Sequence, residues 1–458
     1  MQLSARLTAT ALLLSLLAMG QGCGRAPASE SLTKPVTLTI WRTFEDEDVL
    51  RDTMTAYSTL HPNVSFDYRQ VRSEEYKQAL LRAFAEGTGP DIFSIHNSWL
   101  GEYQSLMAPL PKTLKIPYTE TKGTIKKEKV TTVRDEPTIT LRQLKSEFVD
   151  VVTDDVVRSY QATTNSEAQD RIFGLPLSVD TLALFYNKDL LNAAGIAEPP
   201  KTWDEFLADV IKMSSVGPND QIIQSGAAIG TSRNVERAVD IVSLLMLQTG
   251  TQMTSDRGRA AFSQAIGDRS IPGAEAIRFY TNFASPLTQA YSWNAAQPSS
   301  FEAFASGKTA FFFGYSYHAP LIRNRAQKLR FGISEAPQTT GGRVINYANY
   351  WVESISKASK NQTWAWDFVQ FAAKPEQAQK YLDSAKKPPA RRAMISKQLE
   401  NEDLAPFANQ VLTAKSWYHG NDAGVMEQAI LDAIDSVLSG TEAENALRTA
   451  ENKVNQTL

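Results

Sequence analysis

Asp180 stands alone as a carboxylate in the apolar run Leu175–Phe185, and it is the first residue whose chemistry needs weighing. With Glu45 or Glu102 it could form the carboxylate pair of a hydrolase acting on glycosidic bonds. Nothing in the sequence joins them beyond their existence. The stretch Gly314-Tyr-Ser-Tyr-His318 places His318 where a nucleophile elbow needs glycine. His61, His96, His318 and His419 are scattered, with no HExxH spacing for a metal, and no phosphate loop or dinucleotide fingerprint occurs. The single cysteine, Cys23, lies ahead of the fold, so the folded part has neither disulfides nor thiol chemistry. What remains is recognition by aromatic faces and planar polar groups. Trp41, Glu45, His96, Asn97, Trp99, Tyr315, Tyr317, Asn349, Tyr350, Trp351, Trp417 and Tyr418 all sit at ends of strand-like runs or in loops. Trp203, Trp364 and Trp366, on helical patterns, read as core, as does Trp293. His318 and His419 read as surface residues.

The elements that must hold these groups alternate between strand and helix, the pattern of α/β layers. Val36–Trp41 alternates as a first strand. Tyr76, Ala79, Leu80, Ala83 and Phe84 share one helical face, and Gly87 stops that helix. Asp91–Ile95 reads as a buried strand, and residues 309–313 as another after the Gly307 stop. Thr202 with Glu205, and Thr441 with Glu444, are spaced as capping boxes. Met426, Ala429, Ile430, Ala433, Ile434, Val437 and Leu438 form a core stripe ending at Gly440. Between Pro111 and about Val152 the pattern loosens. Lys112, Lys115, Lys122, Lys126, Lys127, Lys129 and Arg134 face only Glu120 and Glu128 there, and the threonine- and valine-rich alternation suits an exposed hairpin insertion with a solvated face.

The whole chain has 458 residues, room for two domain-sized cores, with 42% hydrophobic and 21% charged residues and a net charge of −3. That balance gives no basic face for nucleic acid. Residues 1–22 read as a secretion signal, with Arg6 before an apolar run too short to span a bilayer. Cys23, followed by a polar stretch to residue 35, resembles the lipidated first residue and tether of a bacterial lipoprotein.

Several quoted segments resemble, in order, the extracellular solute-binding proteins of ABC importers, the family that includes maltodextrin- and other sugar-binding proteins. They are EGTGPDIF, RIFGLPLSVDTLALFYNKDLLNAAGIAEPPKTWDEF, FEAFASGKTAFFFGY, LRFGISEAP, WVESISKASKNQTWAWDFVQFAAKPEQAQKY and KKPPARRAM. The resemblance implies an α/β two-lobe periplasmic-binding-protein-like fold of the class II type, with a ligand cleft between lobes joined by crossing hinge strands. Lobe 1 is expected over 36–178 and 338–378, with the insertion at about 111–152, and lobe 2 over 179–337 and 379–458. The implied function is capture of a carbohydrate, an oligosaccharide by preference, and delivery to the permease of an ABC importer, by a monomer lipid-anchored at Cys23 on the outer face of the cytoplasmic membrane. No enzyme activity, cofactor, metal or nucleic-acid partner is expected. A sensor or adhesin on the same fold, or a secreted glycoside hydrolase, are the alternatives.

A sugar needs flat aromatic faces for its C–H surface and planar polar groups for paired hydroxyls. On that basis the expected ligand-binding residues are Trp41, Glu45, Asn97, Trp99, Asp180, Tyr315, Tyr350, Trp351 and Trp417. Asn349-Tyr350-Trp351 stands where many relatives have glycines, which would reshape the cleft. Arg42 keeps a sugar phosphate open as a ligand.

Overall fold

The structure, a computed structural model, describes residues 33–122, 128–267 and 270–458. The leader, Cys23, the tether up to residue 32, Lys126 and Lys127 lie outside them. In chain order the strands are Val36–Arg42 (β1), Val64–Gln70 (β2), Ile92–His96 (β3), Thr113–Lys122 (β4), Glu128–Pro137 (β5), Val157–Tyr160 (β6), Gln169–Ile172 (β7) and Asp180–Thr181 (β8). Then come Ala183–Asn187 (β9), Ser215–Val216 (β10), Ile222–Ala227 (β11), Thr309–Gly314 (β12), Phe331–Glu335 (β13), Asn346–Asn349 (β14), Trp351–Ile355 (β15) and Ala414–Lys415 (β16).

Two separate sheets organise two lobes. The first has the order β15-β3-β1-β2, with β1 parallel to β2 and β3, and β15 antiparallel to β3. The second has the order β10-β11-β12-β9-β13. Period-two alternation assigns the faces of this second sheet. Leu184 on β9 and Phe311 and Phe313 on β12 enter one large core, while Ala183, Phe185 and Phe312 enter a smaller one on the opposite face. This explains why Ala183, Leu184 and Phe185 follow one another as apolar residues: their strand is covered on both sides.

A third, small sheet ties the lobes together. Its middle strand β14 runs parallel to β16 and antiparallel to β8, so three passes of the chain between the lobes are hydrogen-bonded side by side. The helix Pro375–Ala385 spans the expected lobe boundary at 378/379. Its buried Ala378, Tyr381 and Leu382 all belong to the first core, as do Ala390, Met394 and Ile395 further on.

Local rules hold with two exceptions. Thr202 and Glu205 form the expected capping box, and the stripe Met426, Ala429, Ile430, Ala433 and Ile434 is buried in the helix Ala423–Leu438, but Val437 is only partly buried and Leu438, in the last turn, is exposed. The box expected at Thr441 and Glu444 does not form. The helix starts one residue later, at Ala443, and Glu444 pairs with Arg278 instead. Strands β4 and β5 form a ten-residue antiparallel hairpin whose base buries Leu114 and Ile116 in the first core. Lys115 pairs with Asp135 and Arg134 with Glu120 along it, which accounts for part of its basic charge.

Gly174 leads into the first crossing, where Leu175 bridges Glu353. A methyl group there would lie 2.3 Å from Val352 Cγ1 and 2.9 Å from the Glu353 carbonyl oxygen. Backbone on one side leaves no room to relax, so Gly174→Ala should cost about 1–3 kcal/mol. Urea unfolding of the variant measures this, and a wild-type midpoint would rule out the clash.

Candidate functional site

The lobes meet along a seam at the C-terminal ends of β1 and β3, where open α/β sheets present their loops. His96, Asn97 and Ser98 from lobe 1 face Val239, Asp240, Trp417, Met426 and Glu427 from lobe 2 around one cavity. Its volume is about 10 Å³, room for about one water molecule, so the lobes touch around it. Larger open grooves, such as one of about 610 Å³ beside residues 324–329, draw on one lobe only.

Lobe 1 contributes an aromatic wall. Trp351 and His96 are register partners on β15 and β3, so their side chains share a face, and their rings lie 5.7 Å apart. Trp351 also meets Trp99 at 5.5 Å, Phe44 at 5.6 Å and Tyr76 at 5.9 Å. Trp99 packs against both the first and second cores, straddling the seam. Phe44 is 62% exposed and has a φ of 68°, a left-handed conformation that is costly for a bulky residue. The loop holds it there: Gln70 Nε2 donates to the Phe44 carbonyl, Tyr68 Oη to that of Glu45, and Glu45 N to that of Thr43.

Lobe 2 contributes charge. Asp240 Oδ2 accepts from Arg237 Nε and Nη2 (2.8 and 2.6 Å), Tyr315 Oη (2.6 Å) and Asn349 Nδ2 (3.3 Å). Arg237 is itself left-handed at φ 63° and lies over the Tyr315 ring. Tyr315 stacks on Tyr317, which is 41% exposed. Burial raises the Glu427 carboxyl pKa and Asp240 adds to this, while Arg237 and Lys77 oppose it.

The expected residues separate by what their polar atoms already do. Asn97 and Trp99 reach the seam, and Trp351 packs on the first core against Trp99 and His96. Trp417 lines the cavity from the second core, its Nε1 donating to Ser243 Oγ at 3.1 Å. Tyr315 is buried behind the Asp240 cluster. Tyr350 is buried too, donating to Asp155 Oδ2 at 2.6 Å. Trp41 packs on lobe 1 with one face under the Arg69 guanidinium, 4.5 Å away. Glu45 forms ion pairs with Lys387 and, at 3.3 Å, with Arg42. Arg42 is buried between Glu45 and Glu353 and also donates to Ser94 and Tyr381, so that cation is committed inside the lobe. Asp180 accepts from Thr181 N, Ser316 N and Ser316 Oγ, and its burial lifts its pKa to about 6. His318 is no surface residue: it is 1% exposed, with Nδ1 accepting from Tyr315 N at 2.9 Å. Among the described residues no cluster of His, Cys, Asp and Glu could hold a metal ion.

Phe44, Arg237, Asp240 and Glu427 were not singled out by the sequence. Asp240 and Glu427 sit on helices, where a carboxylate ordinarily means a solvated face. The left-handed conformations of Phe44 and Arg237 leave no trace in residue type.

The model of one protein family, bacterial extracellular solute-binding protein, matches residues 47–379. The chain belongs to that family. It is therefore a binding protein and not an enzyme, of the mixed α/β periplasmic-binding-protein fold seen in maltose-binding proteins. A galactooligosaccharide-binding protein of Bacillus subtilis (strain 168) is 21% identical over 380 residues, 82% of this chain and 78% of that protein. The crystal structure of the cyclic α-maltosyl-1,6-maltose binding protein from Arthrobacter globiformis superposes with a TM-score of 0.70 at 18% identity, covering 92% of this chain and 98% of that one. An ABC transporter solute-binding protein from Thermotoga lettingae, bound to α-D-tagatose, gives 0.64 at 19% identity over 92% and 99%.

His96 gives this solute-binding protein a pH signature. Burial lowers its pKa to about 4, with Arg237 reinforcing the shift and Asn349, Asp240 and Asp155 opposing it. Its Nδ1 accepts from Ser98 N, so the neutral ring carries its proton on Nε2. The unfolded chain, with histidine near 6.5, binds more protons than the folded one between pH 6.5 and 4. Stability is therefore lost as pH falls through that window. His61, also held near 4 by burial, adds to the loss, whereas Asp180 at about 6 opposes it. Melting temperatures of His96→Gln should decline less steeply from pH 6.5 to 4 than those of the wild type. Parallel curves would show that His96 is not held neutral.

Proposed function

We propose that this chain captures a carbohydrate, an oligosaccharide by preference, between its lobes and hands it to the permease of an ABC importer. The observation that carries this reading is the pairing of an aromatic wall (Trp351, Trp99, Phe44) on one lobe with Asp240, Glu427 and Arg237 on the other. Aromatic faces cover the C–H surface of a sugar ring, and carboxylates accept from its hydroxyls. All four contacts to Asp240 meet Oδ2, which leaves Oδ1 for a ligand hydroxyl. Arg42, committed to Glu45 and Glu353, is not free for a phosphate, which favours a neutral sugar. The oligosaccharide named for the Bacillus subtilis relative and the sugars named for the two solved structures point the same way.

Of the expected ligand residues, Asn97 and Trp417 line the seam cavity, and Trp99 and Trp351 belong to the aromatic wall that this reading sets against the sugar. Tyr315, Tyr350, Asp180, Glu45 and Trp41 support it from behind. Ligand binds the open form and is enclosed as the lobes close on it. We further propose that Cys23 is the lipidated first residue of the mature chain, holding the monomer at the outer face of the cytoplasmic membrane. Mass spectrometry of the N-terminal peptide, acylated or free, decides that point.

A thermal-shift screen against mono- and oligosaccharides, sugar phosphates, amino acids and polyamines tests the cargo. A ligand at about 100 times its dissociation constant stabilises by about 2.7 kcal/mol. Phe44→Ala, at an exposed position, and Trp351→Ala should each weaken sugar binding by about 1–3 kcal/mol in calorimetry. Wild-type affinity in both would remove the aromatic wall from the site. Stabilisation by phosphates or polyamines alone would overturn the carbohydrate reading.

A further inference from the structure

Asp155 is fully buried and divides its two oxygens between the two lobes. Oδ2 accepts from Asn97 Nδ2 at 3.1 Å and Tyr350 Oη at 2.6 Å, both on lobe 1. Oδ1 accepts from Ser416 Oγ at 2.5 Å and His419 Nε2 at 2.8 Å. These last two flank Trp417 and Tyr418, which are buried in the second core and move with lobe 2. Neighbouring contacts repeat the crossing. Lys415 pairs with Asp154 at 3.3 Å, and the His419 and Gly420 carbonyls approach Gly101 so closely that a Cβ there would lie 2.4 Å from each.

The same carboxylate sets the orientation of Asn97. A carboxylate only accepts, so the Asn97 amide nitrogen must face Asp155. The Asn97 carbonyl oxygen is then the atom left over. Asn97 is 3% exposed and lines the seam cavity, and its Oδ1 is buried without a hydrogen-bond partner. A buried acceptor left unpaired is costly, and a donor on a bound molecule relieves that cost.

We propose that Asp155 is a positioning residue that couples ligand capture to lobe closure: it aims Asn97 Oδ1 at a donor on the ligand, a sugar hydroxyl, while its other oxygen clasps Ser416 and His419 of the opposite lobe. The ligand chemistry rests on the carbohydrate reading above; the clasp does not. Asp155 touches no ligand itself. Its effect is on how long the closed state lasts, and so on dissociation more than association.

Asp155→Asn would test folding as much as coupling, because it removes an acceptor at a fully buried position. The double variant Ser416→Ala/His419→Ala alters only half-buried side chains and cuts the lobe 2 half of the clasp. The mature chain is measured by small-angle scattering, without sugar and with maltotetraose or a galactooligosaccharide, and by stopped-flow release of whichever sugar binds. The double variant should have a larger radius of gyration than the wild type. It should release sugar about tenfold faster, the scale of one hydrogen bond to a charged group, at an unchanged association rate. Ser416→Ala/His419→Gln, whose amide nitrogen can donate to Asp155, should recover most of the slow release. An unchanged radius of gyration in every condition, or equal effects of the alanine and glutamine variants, would overturn the clasp. An enlarged variant whose wild type responds to neither sugar would leave the clasp standing and overturn the carbohydrate reading.

Discussion

Three short strands carry the mechanical logic of this protein. The chain passes between its two cores along β8, β14 and β16, and backbone hydrogen bonds hold the three passes together. Two lobes joined by a single strand would swivel freely, and their facing surfaces would rarely meet in register. Three bonded strands leave bending about the small sheet as the easy motion. The site inherits its geometry from this. Asn349, at the end of β14, donates to Asp240, and Trp351 opens β15 two residues later. Ser416 and His419 follow directly after β16. The hinge and the seam between the lobes are therefore continuous in sequence, and rotation at one moves the other.

A second constraint is buried charge. Arg42 lies 2% exposed at the end of β1, where burial works against its ionisation, and Glu353, Tyr381 and Glu45 more than offset this and raise its pKa. Burial likewise opposes the charge on Glu45, and Lys387 and Arg42 hold its pKa down nonetheless. Such clusters are weak sources of net stability, since desolvation consumes most of the attraction. What they fix is position. Arg42 and Glu45 bracket Phe44, and the loop they pin is the one that keeps Phe44 in its left-handed conformation against Trp351. The strain of one exposed aromatic is held in place by ion pairs on both sides.

The polar content of the seam is divided in the same manner. Asp240 gathers an arginine, a tyrosine and an asparagine on one oxygen, and Asp155 gathers four donors on two. Each carboxylate is satisfied mainly by protein groups, so each is rigid before any ligand arrives. Preorganised groups lose little freedom on binding, which leaves more of the contact energy for affinity. Around His96, Asn97 and Asp240 the seam leaves room for about one water molecule, so the two lobes are in contact there.

The layers are legible in the order of residues alone. Alternation placed β1, helical periodicity placed Ser73–Ala85 and Ala423–Leu438, and the apolar run Leu175–Phe185 around Asp180 marked extended chain. These features are local, because a period of two or 3.6 is written in neighbouring residues. The aromatic candidates near strand ends were legible for the same reason, and of these candidate positions Trp99 and Asn97 lie at the seam. Which polar atoms were already spoken for is settled by the fold. Arg42, Glu45, Asp180 and Tyr350 looked free because their partners, Glu353, Lys387, Ser316 and Asp155, are far away in the chain. Asp240, Glu427 and Asp155 looked ordinary because each sits on a helix. Whether a charged side chain serves a ligand, a hinge or a core depends on what the fold brings against it, and contacts between residues hundreds of positions apart leave no local pattern to read.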